Sequence, residues 1–304
     1  MPMPTTEELK FSDLQTEFGG VHPISFSEYY DEGSYVTNPT LPKTGQLRMK
    51  KFRGGQNAAQ INITALRTNL VLSTEFGSDW TTTRPKILNI SSGVTVGGTS
   101  PNPAIEVSSG LAGILIINNS GTIIGHGGTP GGHGGTSANV VGQNRPGGAG
   151  NNGGNGISVV SAGDGVTINN TGTISGGGGS GGGGGAGQRG RYRFMRSWRT
   201  QRGGHGGAGG LGAGYNQAAT GGSGPNSALS PTYAYGGHGG SGGAIATDGY
   251  DGSDGNASAT ASYRIAGDSP GPGGAKGLAG KAIGNAGATW TNGITSGTYN
   301  GAYT

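Results

Sequence analysis

From residue 60 the chain alternates apolar and polar positions at period two. Gln60-Ile61-Asn62-Ile63-Thr64-Ala65-Leu66 is the clearest run, and this spacing sends every second side chain to one face, as a half-buried strand requires. Leu70-Val71-Leu72, Ile87-Leu88-Asn89-Ile90, Val94-Thr95-Val96, Ile105-Glu106-Val107 and Ile114-Leu115-Ile116-Ile117 follow, short and rich in β-branched residues, separated by Gly, Ser, Asn and Pro. They predict a β region over 58–124, either a sandwich or a solenoid-like stack. Before it, Glu7 to Phe18 predicts a short helix stopped by Gly19-Gly20, with Ser12 as a cap for its second turn. Past the β region, Ile117-Asn118-Asn119-Ser120-Gly121-Thr122-Ile123-Ile124-Gly125 recurs as Ile168-Asn169-Asn170-Thr171-Gly172-Thr173-Ile174-Ser175-Gly176. Each copy has a strand upstream and a glycine tract downstream, so the repeating unit is strand, Asn-Asn turn, strand, tract. Asn and Gly tolerate positive φ, which suits them to that turn.

Composition changes the picture beyond residue 124. Glycine accounts for 72 of 304 residues, against a usual ~7%. With 31% hydrophobic and 11% charged residues, the chain is too poor in apolar groups for one continuous core, and too weakly charged for ordinary disorder. Order must come mainly from backbone hydrogen bonds, which glycine allows by letting backbones approach closely. The tracts over 125–287 read either as flexible linkers or as packed polyglycine/polyproline-II rods, three residues per turn. The short strands, the four Gly-His-Gly-Gly copies around His126, His133, His205 and His238, and the aromatic excursions between tracts favour rods. Strict Gly-X-Y periodicity is absent, which argues against collagen. Rods of this kind have no internal hydrogen bonds and must bond to neighbours; the segments 188–202, 215–235 and 247–268 are then loops at rod ends. Cysteine is absent, which removes disulfides and thiolate chemistry. The N-terminus has no secretory pattern, and no apolar run approaches the about 20 residues of a membrane-spanning helix.

Several strings resemble known proteins. Leu9-Lys-Phe-Ser-Asp-Leu-Gln-Thr-Glu-Phe-Gly-Gly, Pro23-Ile-Ser-Phe-Ser-Glu-Tyr-Tyr30 and Pro42-Lys-Thr-Gly-Gln-Leu-Arg-Met-Lys-Lys-Phe52 resemble a segment of tail-associated proteins of tailed phages. Ile90 to Ser100, Ile117 to Gly125, and Gly280-Lys-Ala-Ile-Gly-Asn285 with Thr289-Trp290 are similar to the β-plus-glycine and C-terminal patterns of that group. The alternation of tracts and variable loops is similar to T-even-type tail-fibre adhesins, whose tip is a sandwich of polyglycine-II helices. The resemblance implies an N-terminal anchor, a glycine scaffold, and distal loops that touch a host receptor.

Candidate chemistry concentrates in one loop. Six arginines fall between Arg189 and Arg202 with no acid among them; without them the chain holds 13 basic against 15 acidic residues. Arg191, Arg193, Arg196 and Arg199 interleave with Tyr192, Phe194 and Trp198. Guanidinium forks grip phosphates and carboxylates, and aromatic faces stack on sugars or bases. A host glycan or lipopolysaccharide, another virion protein, and nucleic acid remain as partners for this loop. Tyr215, Tyr233 and Tyr235 are further candidates, as a binding rim or as caps on a small core at the rod ends. The repeated context of the histidines argues for a shared position at a rod edge and against a metal. Asp248, Asp251 and Asp254 would lie about 9 Å apart along such a rod, too far to share one ion, and read as a solvated turn. No nucleophile elbow, Walker loop or His-Glu-x-x-His motif occurs.

The expected fold class is mainly β plus polyglycine-II helices with very little α. The expected domains are a virion-attachment module (1–57) presenting Phe11, Phe18, Phe26, Tyr29 and Tyr30, a β domain (58–124), a glycine-rich domain with distal loops (125–287), and a closing strand segment (288–304). The expected function is that of a tail adhesin, not an enzyme, made in the host cytoplasm and carried on the virion tail. It needs no cofactor or metal, binds no nucleic acid and inserts in no membrane. Its partners are a host-surface receptor and other tail proteins; a homotrimer is left open, without a heptad stretch to support it. The alternative is a purely architectural virion component, a head fibre or tail decoration.

Overall fold

The computed structural model describes residues 10–19, 26–30, 36, 41, 44, 52, 57–135, 145–160, 162–188, 190–194, 197–201, 203–225, 235–257, 269–285, 290–293 and 296–303. For residues 11, 26, 27, 190–194 and 198–201 it describes the backbone alone. Helix α1 (Phe11–Phe18) ends at Gly19, whose φ of 85° breaks the helical path. Its start is capped from inside: the Lys10 N–H donates to Asp13 Oδ2 (2.7 Å), so Asp13 does the capping and Ser12 sits within the first turn. Leu14, Phe18, Tyr29, Val36, Leu41 and Phe52 form a small buried cluster. Phe18 and Tyr29 meet Phe52 edge-on, with ring centroids at 5.8 and 6.4 Å.

From residue 59 the chain coils into a three-sided parallel prism, resolving the sandwich-or-stack alternative as a stack. The first rung is β1 (Ala59–Ile63), β2 (Arg67–Thr68) and β3 (Leu70–Val71). The helix α2 (Leu72–Phe76) leads to the second rung: β4 (Lys86–Ile90), β5 (Thr95–Gly97) and β6 (Ile105–Val107). The third rung is β7 (Ile114–Asn119), β8 (Thr122–Ile124) and β9 (Ile157–Val159). The fourth begins with β10 (Gly165–Asn170) and β11 (Thr173–Ser175). A long excursion carrying β12 (Gly190–Phe194) and β13 (Ser197–Gln201) intervenes before its third side, β14 (Ile283–Asn285). β15 (Thr291–Asn292) and β16 (Thr298–Asn300) complete the stack. The three sheets run β1-β4-β7-β10-β15, β2-β5-β8-β11-β16 and β3-β6-β9-β14. The period-two pattern has its expected consequence: in β7 and β10 every second residue is buried, with Leu115, Ile117, Val166 and Ile168 inside.

The 51-residue repeat is the offset between the third and fourth rungs. Residues 114–119 pair directly with 165–170, so Ile117, Asn118 and Asn119 stack on Ile168, Asn169 and Asn170. Asn118 and Asn169 point outward and extend a ladder Asn62–Asn89–Asn118–Asn169, in which the NH2 of each later asparagine donates to the Oδ1 of the one before it at 2.8 Å. Asn119 and Asn170 are buried at the corner, bonded to each other (2.8 Å). Their Oδ1 atoms accept the N–H groups of Gly121 and Gly172 (3.1 and 3.2 Å). None of these asparagines or glycines has positive φ. The turn expected from left-handed backbone is therefore a strand corner held by side-chain amides, where glycine is needed for closeness: a Cβ on Gly172 would strike the Gly121 carbonyl. Among the described residues of the prism, Lys86 is the one fully buried charge. Its ammonium donates to the carbonyls of Thr82, Arg84 and Ala112, each at 2.8 Å, and burial lowers its pKa from the ordinary lysine value.

The glycine-rich segments leave the prism at the corner between the second and third sheets. Eight tracts can be followed: 125–135, 145–156, 176–188, 203–213, 217–225, 235–244, 247–257 and 269–282, numbered one to eight here. Tract three is central, and its bonds repeat every third residue. Gly177, Ser180, Gly183 and Ala186 donate to tract two; Gly178, Gly181, Gly184 and Gly187 to tract four; Gly179, Gly182, Gly185 and Gln188 to tract seven. Its carbonyls accept in the same rhythm from tracts eight, one and six, and all these bonds measure 2.7–3.1 Å. Six neighbours around one strand leave no room for side chains. A Cβ at any glycine from 177 to 185 would collide with a carbonyl of a neighbouring tract, which explains the ten glycines among residues 176–187.

Candidate functional site

The tracts alternate in direction, so one end of the array abuts the prism and the other is free. The short turns at 214–217 and 245–247 lie at the prism end: Tyr215 N–H bonds the Gly125 carbonyl (3.0 Å) and Ala246 N–H the Gly176 carbonyl (3.2 Å). At the free end, Gly134, Arg145, Ala186, Gly204, Gly237, Gly255 and Gly271 lie at one level, linked through bonds such as Gly134 to Gly184, Ala186 to Arg145 and Gly255 to Gly271. The chain leaves and re-enters the described array there at 135 and 145, 188 and 203, 225 and 235, and 257 and 269.

The arginine-aromatic segment joins tracts three and four at that free end as the antiparallel hairpin β12–β13. Its register sets Arg191 opposite Thr200, Tyr192 opposite Arg199, Arg193 opposite Trp198 and Phe194 opposite Ser197. The backbone therefore brings Arg191, Tyr192, Arg193, Phe194, Trp198 and Arg199 into one ribbon. Arg196 and Tyr233 lie outside the described residues. Tyr235 is 41% exposed and begins tract six at the free end. Tyr215 sits at the opposite end, where its ring covers Gly97 of β5. Phe18 and Tyr29 are buried in the N-terminal cluster, while Tyr30 is half-buried and the side chains of Phe11 and Phe26 are not described.

The histidines occupy rod edges. His133 and His205 meet edge-to-face at 5.7 Å near the free end; His126 is half-buried at the prism end, and His238 is exposed on tract six. Among the described residues no three His, Asp or Glu side chains converge. The aspartate triplet has a role that a solvated turn does not describe. Asp248, Asp251 and Asp254 Oδ1 accept the N–H groups of Ala279 (2.8 Å), Lys276 (2.7 Å) and Gly273 (2.8 Å), so the three carboxylates staple tract seven to tract eight. Asp248 also pairs with Lys276 (3.0 Å); the Ala279 N–H first, then Lys276, lowers its pKa from the ordinary carboxylate value. Asn152 and Asn155 staple tract eight from its other flank, accepting from Leu278 (2.8 Å) and Lys281 (2.9 Å). The sequence signal for these staples was the three-residue spacing itself.

The family description "phage tail fibre adhesin Gp38" matches residues 58–304, the prism and tracts together. The chain belongs to the phage tail fibre adhesin Gp38 family. That membership makes this adhesin a tail-fibre component. It also matches a solved crystal structure, the gp37-gp38 adhesin tip complex of the long tail fibre of bacteriophage S16, at 21% identity over 95% of this chain and 96% of that chain, with a TM-score of 0.41. No curated protein matches the adhesin.

Proposed function

We propose that this adhesin binds a host-cell surface receptor through the free end of its glycine array, with the β12–β13 hairpin as the principal contact. The observation that supports this most is the hairpin's placement: the segment richest in arginine and aromatic residues joins two tracts at the end away from the prism, in a chain of an adhesin family. Arg191, Arg193, Arg196 and Arg199 would grip phosphate or carboxylate groups of a surface glycan, or acidic residues of a surface protein. Tyr192, Phe194 and Trp198 would supply stacking area, with Tyr233 and Tyr235 on the rim. Tyr215, seated on the prism, is left out of this surface.

The tracts act as a spacer in this reading and are polyglycine-II helices. The three-residue rhythm of bonds to six neighbours supports that assignment. At about 3.1 Å per residue, tract three, residues 176–188, holds the hairpin roughly 37 Å from the prism. The 1–57 module docks on another tail protein, with Phe18 and Tyr29 shaping the module from within and Tyr30 beside its surface. The role is mechanical recognition without catalysis.

The test is attachment of the labelled full-length protein to intact host cells, with Arg193, Phe194 and Trp198 changed singly and together to alanine. Saturable attachment lost in the variants, at unchanged thermal midpoint, supports the hairpin as the contact. Attachment that survives the triple change moves the contact to the other free-end loops. A folded protein that attaches to no host cell favours the architectural alternative.

A further inference from the structure

A groove of about 610 Å³ lies where the tracts leave the prism, on the flank of tracts one and two. Its volume falls within the about 300–1,000 Å³ typical of small-molecule sites. Pro101 and Pro103 line it from the second-rung corner, His126 from tract one, Asn152 and Asn155 from tract two, and Ser158 from β9. Among the described residues no carboxylate, ammonium or guanidinium lines it, so these residues offer no counter-charge to a phosphate, a sialic acid or a basic peptide.

Its polar groups are held in fixed orientation by the fold. The side-chain oxygens of Asn152 and Asn155 are occupied by the Leu278 and Lys281 N–H groups at 2.8 and 2.9 Å. This settles which end of each amide is which: the Asn152 NH2 faces away from the Leu278 N–H, and the Asn155 NH2 lies over Gly284 of β14. His126 Nδ1 lies 3.0 Å from the Gly127 carbonyl; a carbonyl only accepts, so Nδ1 is the donor there and the neutral ring presents Nε2 as an acceptor. The Ser158 hydroxyl can give or take a hydrogen bond. The two proline rings and the imidazole supply apolar faces. Uncharged donors and acceptors alternating with small apolar faces are what a hexose presents in complement: hydroxyls on its rim and C–H groups on its faces.

We propose that this groove is a lateral binding site for a neutral, hexose-containing glycan. It is independent of the hairpin: a fibre tip could hold surface polysaccharide along its side while the free end engages the receptor.

The full-length protein is tested on an array of neutral tri- and tetrasaccharides of glucose, galactose and mannose, beside sialylated and phosphorylated counterparts. The decisive variant is N152D/N155D. It keeps both acceptors for the Leu278 and Lys281 N–H groups, as Asp248, Asp251 and Asp254 already do on the other flank, but replaces the two donors with carboxylate oxygen. The expected result is binding of at least one neutral glycan by the unmodified protein, weakened at least about tenfold in the variant. The Ser158→Phe variant, which fills the groove without touching the staples, should lose binding too and decides the matter where N152D/N155D folds poorly. Trp198→Ala should leave neutral-glycan binding unchanged. Absence of neutral-glycan binding, survival of that binding in the groove variants, or its loss in Trp198→Ala each overturns the proposal; binding of the charged counterparts that the groove variants leave unchanged belongs to the hairpin.

Discussion

At the scale of single residues, the adhesin uses a few side chains to complete a structure made mostly of backbone. Lys86 shows the cost of breaking such an arrangement. With three carbonyls converging on its ammonium, Lys86→Met would leave acceptors buried and unbonded, and a loss of about 3 kcal/mol is expected in urea unfolding. Glycine positions divide sharply. Gly182→Ala drives a methyl into the Gly274 carbonyl, whereas Gly132 has open space around its Cβ position. Gly182→Ala should lower the thermal midpoint by several degrees, at an overpacking cost of about 1–3 kcal/mol. Gly132→Ala should stay within about 0.5 kcal/mol of the parent. Asp248 gives a pH signature. Its folded pKa lies below its unfolded one, so its stabilisation is complete above about pH 4 and is lost as pH falls through the lower folded value. Asp248→Asn should therefore flatten the midpoint-against-pH curve on the acid side; a curve unchanged by the substitution contradicts the staple. Side chains of Asp248 and Lys276 are 40% and 41% exposed, so the effect is small and shrinks with salt.

At the scale of elements, period decides what fits. Strands repeat every two residues and the central tract every three, because three bonding directions are served in turn by successive residues. Deleting Gly182 alone rotates every later residue of tract three to the wrong neighbour. Deleting Gly181 to Gly183 keeps the phase and shortens the rod. The single deletion is expected to abolish the folded state, and the triple deletion to retain a lowered but cooperative transition; equal damage by both would contradict a three-fold lattice. The polar staples obey the same rule. Ser223, Thr220 and Ser253 accept the N–H groups of Ala208, Leu211 and His238 (2.7, 2.8 and 2.6 Å), so an outer tract satisfies its outward donors with hydroxyls or carboxylates at every third residue.

At the scale of the whole molecule, two kinds of core adjoin: an apolar prism holding Ile, Leu and Val from all four complete rungs, and an array with almost no apolar side chains. Unfolding the array exposes peptide groups more than hydrocarbon, and polar exposure lowers the heat capacity of unfolding. Calorimetry should therefore give a heat-capacity change per residue below the about 12–15 cal/mol/K of ordinary domains. A value inside that range would mean that the array contributes little to the cooperative unit. The arrangement also separates tasks. The tracts leave the prism at one corner, and the β12–β13 hairpin joins two of them at the opposite end of the array.

The alternation from Gln60, the 51-residue repeat and the glycine tracts belong to the sequence, and from them the strands, the stacking unit and the need for close backbone packing were legible. The hairpin's composition, six arginines among aromatics, also belongs to the sequence. Tertiary structure alone decided that the Asn-Asn pairs form ladders without a left-handed turn, that Tyr215 returns to the prism, and that three spaced aspartates bridge two tracts. It also decided that Phe18 and Tyr29 face inward. In each case the deciding partner lies far along the chain: Asn119 bonds a residue 51 positions away, and Asn152 one 126 positions away. Local pattern determines which backbone a segment can adopt; which neighbour supplies its missing hydrogen bond is settled only when the tracts assemble.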